Sequence, residues 1–234
     1  MKNRDALLRC IFVIFLLCVP SIFASFKIFL NSSNNIFFSN YVFTLDLNSA
    51  LIELVQVFQY SLPVIILIIL TNESFKEYGF NKVSFKDLLK SLLRLSGLTI
   101  LFSIGSGIII GLFLYKKENY LDIFKLFKEE NNSNLMILIN LVPTILLAFI
   151  EELYFRSFLY KNLNKIIENK WICMVIVNIL FGIGHIYQGI IAVFITFFYG
   201  IINSIEFKKH NNLYTISIFH ALRNIFAFVL RTIL

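Results

Sequence analysis

Six residues in three short stretches carry groups that an apolar chain does not keep without a reason. They are Glu151, Glu152 and Arg156, then His185, then His220 and Asn224. The first three follow the apolar run from Leu135 to Ile150, and Phe158 to Tyr160 continue it beyond them. A charge in that setting is costly and needs a partner or a task. Glu152 and Arg156 are four apart, on one face of a helix, so an ion pair can offset their desolvation. Glu151 points about 100° away, lacks that partner and is free to meet another helix. His220 and Asn224 are also four apart, which turns an imidazole and an amide toward one spot. Gly182 and Gly184 flank the approach to His185 and would let a neighbouring backbone or a substrate come close.

These types suit the hydrolysis of a peptide bond without a covalent intermediate. A carboxylate withdrawn from water is a stronger base toward a water molecule, and a histidine can share that proton or hold the water. A second histidine and an asparagine can donate hydrogen bonds to the oxyanion of a tetrahedral intermediate. Hydrolysis among apolar helices also needs a water-filled cavity, and Asn140, Asn178 and Asn203 are candidates to line it.

The elements that must position these groups are membrane-grade helices. Of the 234 residues 58% are hydrophobic, and the mean hydropathy is +0.80, whereas soluble domains hold roughly 45–50% apolar residues. The apolar runs are continuous, which excludes the alternation of a transmembrane barrel. The fold class is therefore all-α, a polytopic transmembrane helical bundle of about seven spans, in one membrane domain covering 1–234. The spans are expected near 6–30, 50–70 (with Pro63 as a kink), 92–115, 135–150, 171–185, 189–205 and 213–234. The first is expected to be retained, not cleaved as a signal peptide. A polar loop is expected over 31–46, an amphipathic turn over 84–94, and a short surface helix in the charged loop 116–134. Gly97, Gly105, Gly107 and Gly111 are expected to allow close helix approach.

The net charge of +7 follows from the positive-inside rule, and no nucleic-acid motif is present. Most Lys and Arg residues fall to one side when the N-terminus is cytoplasmic, which gives an integral, multi-pass protein of a cell membrane. The abundance of Ile, Phe, Asn and Lys points to a bacterial source. Cys10, Cys18 and Cys173 lie in apolar runs without metal spacing and read as packing residues. Counting a helical rise of about 1.5 Å per residue, Glu151 lies roughly 15 Å from the basic face near Lys161, His185 about 21 Å from Trp171, and His220 about 12 Å from Asn212. The three stations share a depth, so a single intramembrane site is geometrically allowed.

In order and spacing, Glu-Glu-x-x-x-Arg at 151–156, Phe-x-x-x-His at 181–185 and His-x-x-x-Asn at 220–224 resemble the three motifs of the CPBP family. These are the CAAX prenyl protease and bacteriocin-processing intramembrane proteases, also called Abi. The resemblance covers residues 135–234, the catalytic core. It implies a glutamic endopeptidase, in older descriptions a metalloendopeptidase, with Glu151 as general base, His185 helping to activate the water, and His220 and Asn224 forming the oxyanion hole. Glu152 and Arg156 would support them or orient substrate. The family often has Gly after the Arg, where this chain has Ser157. No cofactor and no metal is expected. The expected partners are the lipid bilayer and a membrane-associated or lipidated peptide or lipoprotein substrate.

Singly, each motif has a plainer reading, because an ion pair at a helix end or a histidine bonding between helices is common. Their joint occurrence favours catalysis. Three rivals remain open: a zinc protease using the same carboxylates and imidazoles, disfavoured because no His-Glu-x-x-His helix exists; a non-enzymatic membrane scaffold or bacteriocin self-immunity protein of the same fold; and a transporter using the carboxylates as a proton relay, disfavoured by the lack of an inverted repeat.

Overall fold

The computed structural model describes residues 2–32, 46–114 and 134–233. The helix expected within 116–134 and nearly all of the polar loop 31–46 lie outside the described residues. Those described form helices and no strand. Helix α1 runs through Lys2–Val13, a π-helical segment Ile14–Cys18 and Val19–Ser32. Helix α2 is Leu47–Leu70, α3 Phe85–Leu114, and α4 Asn134–Glu152 with its continuation through a π-helical segment Leu153–Leu159 and Tyr160–Leu163. Helices α5, α6 and α7 are Lys170–Ile183, Ile190–His210 and Leu213–Ile233. Seven helices thus occupy the places of the seven expected spans.

Among the described residues, the stretches Asn3–Ser32, Leu47–Leu70, Phe85–Gly111 and Ile190–His210 are long and apolar enough to cross a bilayer, and Lys170–Ile183 is apolar but shorter. Caps mark the starts. Asp46 accepts from the Ser49 amide at 2.7 Å, Asn169 from the Trp171 amide at 2.9 Å, and Asn212 from the Thr215 amide at 2.9 Å, so each helix begins with an otherwise orphaned donor satisfied. The amphipathic turn expected over 84–94 and the third span are one continuous helix. Pro63 sits inside α2, and the helix continues through it.

Helix α4 is the axis of the bundle. It packs against α2 on one side and α7 on the other, while α5 pairs with α6. The core is made where Leu153, Tyr154 and Phe158 of α4 meet Val13 and Leu17 of α1, Val64 and Ile68 of α2, Met174 and Val177 of α5, and Leu213 and Ile216 of α7. All three cysteines are buried and free; the Cys18 thiol shares a 2.7 Å hydrogen bond with the Tyr154 hydroxyl.

Helix α3 stands apart. Among the described residues, a Cβ added at Gly97, Gly105, Gly107 or Gly111 would meet nothing within 4 Å, so none of them makes the close helix approach expected of these glycines. It is tied to α6 by polar and aromatic contacts: Arg94 donates from Nε to Glu206 at 3.0 Å, Ser103 meets the Tyr199 hydroxyl at 2.8 Å, and the Phe102 ring lies 5.2 Å from Phe198 and 5.4 Å from Tyr199.

At one end of the bundle the loop between α2 and α3 closes over α4, α6 and α7. Its Gly79 has φ +88° and sits so close to Phe207 that an added Cβ would lie 2.6 Å from that ring. Only glycine meets both demands. The Gly79 carbonyl accepts from the Leu213 amide at 2.8 Å, and Asn81 and Asn212 are joined by a 2.7 Å bond from the Asn212 amide to the Asn81 carbonyl.

Candidate active site

Glu151 and Glu152 end the regular part of α4 and face different surroundings, as the 100° between successive helical residues requires. The Glu152 side chain is 0% exposed. Its Oε1 accepts from Asn203 Nδ2 of α6 at 2.9 Å and His220 Nδ1 of α7 at 2.8 Å, with Arg156 NH1 at 3.4 Å. Arg156 Nε lies 3.4 Å from Oε2, and NH2 donates to Asn178 Oδ1 of α5 at 2.9 Å. Asn178 in turn donates to Ser204 Oγ at 2.9 Å and to the Met174 carbonyl at 2.8 Å. The expected Glu152–Arg156 pair is therefore present, and three other helices satisfy it, which is what a buried pair needs to offset desolvation.

Asn178 and Asn203 are spent on this network. Neither they nor Asn140 lines the cavity described below; all three are buried. That corrects the expectation that these amides wet a cavity: the donors and acceptors of Asn178 and Asn203 go to the buried ion pair. Gly200 makes room for the network, since a Cβ there would collide with Asn178 Oδ1 and Arg156 NH2. Gly200 and Asn203, three apart and so on one face of α6, are residues that sequence reasoning missed in this role. Their spacing opposite the Glu-Arg pair was the available signal.

Glu151 is 24% exposed at its side chain. With His185 it lines a cavity of about 460 Å³ walled by α1, α2, α4 and the end of α5. His185 follows the last turn of α5. Its Nδ1 lies 2.9 Å from the Phe181 carbonyl, which can only accept, so Nδ1 carries the proton and Nε2 of the neutral ring is an acceptor. The turn holding His185 is fixed from outside the motif. The second half of α1 packs on Ile186–Gln188, and Ser25 Oγ donates to the Gly184 carbonyl at 2.7 Å. Gly182 brings α6 close, since a Cβ there would lie 2.9 Å from the Val193 carbonyl oxygen.

His220 is buried between the two glutamates. With Nδ1 given to the Glu152 carboxylate, its Nε2 stands 3.7 Å from Glu151 Oε2, longer than a hydrogen bond. The Phe181 ring joins the parts: the Arg156 guanidinium lies over it at 4.1 Å, and the His185 and His220 rings meet it edge to face at 4.7 and 6.1 Å. Asn224 is half-buried, one turn beyond His220 on α7. Arg223, a charge the sequence left without a place, lies over the Tyr199 ring at 4.4 Å. Ser157, where the family often has Gly, donates to the Tyr78 carbonyl. Among the described residues, no three His, Cys, Asp or Glu side chains are grouped to hold a metal ion.

No curated protein and no solved structure matches the chain. A family model described as Type II CAAX prenyl endopeptidase Rce1-like matches residues 132–226, the stretch that holds all six candidate residues. The long apolar helices and this match together describe an integral membrane protein. Over the residues that build the site, the chain is similar to the Rce1-like CAAX prenyl endopeptidases, the family that its three motifs resemble.

Proposed function

We propose that the chain is an intramembrane endopeptidase, acting on a membrane-associated or lipidated peptide or protein. One observation carries the reading: Glu151 and His185 line one cavity, while the Glu152–Arg156 pair is sealed behind them. A purely structural cluster would have no reason to leave one of two adjacent carboxylates facing a cavity.

In this reading a water in the cavity is held between Glu151 and the bare Nε2 of His185. Its oxygen attacks the scissile carbonyl carbon as Glu151 takes a proton. The oxyanion then falls to the Asn224 amide and the His220 ring of α7, which stand beside the described cavity lining and not within it. To donate from Nε2, His220 must carry protons on both nitrogens, because Glu152 holds the one on Nδ1. The carbon–nitrogen bond then breaks, the proton on Glu151 passes to the leaving amine, and the products are a new carboxyl and a new amino terminus. Glu152 and Arg156 position His220 and do not touch substrate.

The test compares membrane peptidomes of cells making the wild-type chain and Glu151→Gln. Peptides whose new termini require Glu151 support the reading. Identical peptidomes, with the biological effect of the chain intact in Glu151→Gln, would favour the non-enzymatic scaffold or immunity protein instead.

A further inference from the structure

The wall of the cavity opposite Glu151 and His185 comes from α1 and α2, outside the matched residues 132–226. It carries a second carboxylate. Glu53 lies in the second turn of α2, within a stretch apolar enough to span a bilayer, and lines the cavity. Its Oε2 accepts from Thr144 Oγ1 of α4 at 3.1 Å. No Lys or Arg among the described residues pairs with it, and none lines the cavity. The neighbours on that wall are neutral: Gln56, Gln59, Tyr60, Ser21 and Ser49. Among the described residues the acidic groups on the lining are Glu53 and Glu151, with no cation beside them. An unpaired carboxylate inside a membrane span is expensive, and one hydroxyl does not repay it.

We propose that Glu53 is a specificity residue that pairs with a basic side chain of the substrate. The inference rests on the protease reading for what happens to that substrate, but the recognition itself does not require cleavage. Thr144, which marks the level of Glu53, precedes Glu151 by seven residues on one helix, a rise of about 10 Å. An extended peptide advances about 3.3 Å per residue. A lysine or arginine roughly two to four residues from the scissile bond therefore reaches Glu53. A substrate with an acidic residue there, or with its free C-terminal carboxylate there, meets a carboxylate without a cation and is rejected.

Binding and cleavage test this separately. In the Glu151→Gln background, in lipid nanodiscs, fluorescent apolar peptides bearing one Lys, one norleucine or one Glu are compared. The Lys probe is expected to bind about tenfold tighter than the norleucine probe. Glu53→Gln, which keeps an oxygen for Thr144, should bring the two together, and Glu53→Lys should shift preference to the Glu probe. Equal binding of Lys and norleucine probes, or a preference that survives Glu53→Gln, overturns the inference. With Glu151 intact, a peptide library is digested and its cut sites mapped. Enrichment of Lys or Arg at the stated offset, lost in Glu53→Gln, supports the inference. Glu151-dependent cutting without that enrichment overturns the inference and leaves the protease reading standing. A Lys preference with no Glu151-dependent cutting does the reverse.

Discussion

Two adjacent glutamates have opposite tasks because of what their side chains touch. Glu152 is held by Asn203, His220 and Arg156. Removing it leaves the Arg156 guanidinium buried without its counter-charge, which costs about 3–5 kcal/mol. Glu152→Ala should therefore unfold at clearly lower temperature in detergent. Glu151→Gln keeps shape and has no such network to break, so its unfolding temperature should stay close to wild type while hydrolysis is lost. The contrast separates a positioning residue from a catalytic one by two measurements on each variant. The Glu152–Arg156 pairing was legible in the sequence, because spacing on a helix fixes which residues share a face. The Glu152–His220 bond, the Phe181 platform and the partner of Arg223 were not, since each joins helices whose relative rotation no single-chain spacing specifies.

At the scale of elements, the site depends on how closely α5 and α6 approach α4. Gly200→Ala would drive a methyl into Asn178 and Arg156, and overpacking of this kind costs about 1–3 kcal/mol. The variant should lose activity and unfold earlier. Gly105→Ala in α3, by contrast, meets open space and should match wild type in both assays. What separates the two glycines is the neighbour each one meets. The winding of α4 was equally hidden. The π-helical segment Leu153–Leu159 begins directly after Glu152, and such segments often lie at functional sites, but hydropathy does not distinguish them from α-helix.

The start of the loop after α2 is fastened to the end of α4 by charge. Glu73 meets Lys161 at 2.7 Å and also Lys165. Burial pushes its carboxyl up, but the hydrogen bonds from the two lysines and the charge of Lys161 outweigh that and hold it down at about 2, against an ordinary 4.5. A folded-state value below the unfolded one stabilises above pH 4.5, and that contribution fades as pH falls from 4.5 toward about 2. Glu73→Gln should lower the unfolding temperature at pH 7, by an amount worth about 1 kcal/mol, and the gap to wild type should shrink steadily below pH 4.5. A gap independent of pH would mean that the carboxylate charge does not fasten this end.

For the whole molecule, the all-α class and the placing of seven helices were legible because composition and continuous apolar runs dictate them; among the described residues, four of those helices are long and apolar enough to cross a bilayer. The cavity was not legible: its far wall is built by α1 and α2, which carry no motif. Hydrolysis requires that cavity to admit water. The three native cysteines are buried, so a polar maleimide should leave the folded wild-type chain unlabelled. It should label Gln56→Cys on the cavity wall without denaturant, and failure there would mean a dry cavity unsuited to hydrolysis.

The most direct measurement concerns Glu151 itself. Wild type, Glu151→Gln and His185→Ala are reconstituted in the same lipid, shown to unfold at matching temperatures, and incubated with a peptide library whose new termini are counted over time. A general base at Glu151 means that Glu151→Gln loses hydrolysis by about 10³-fold or more and that His185→Ala, which removes its helper, loses about 10²-fold or more. Hydrolysis by Glu151→Gln at the wild-type rate would contradict it.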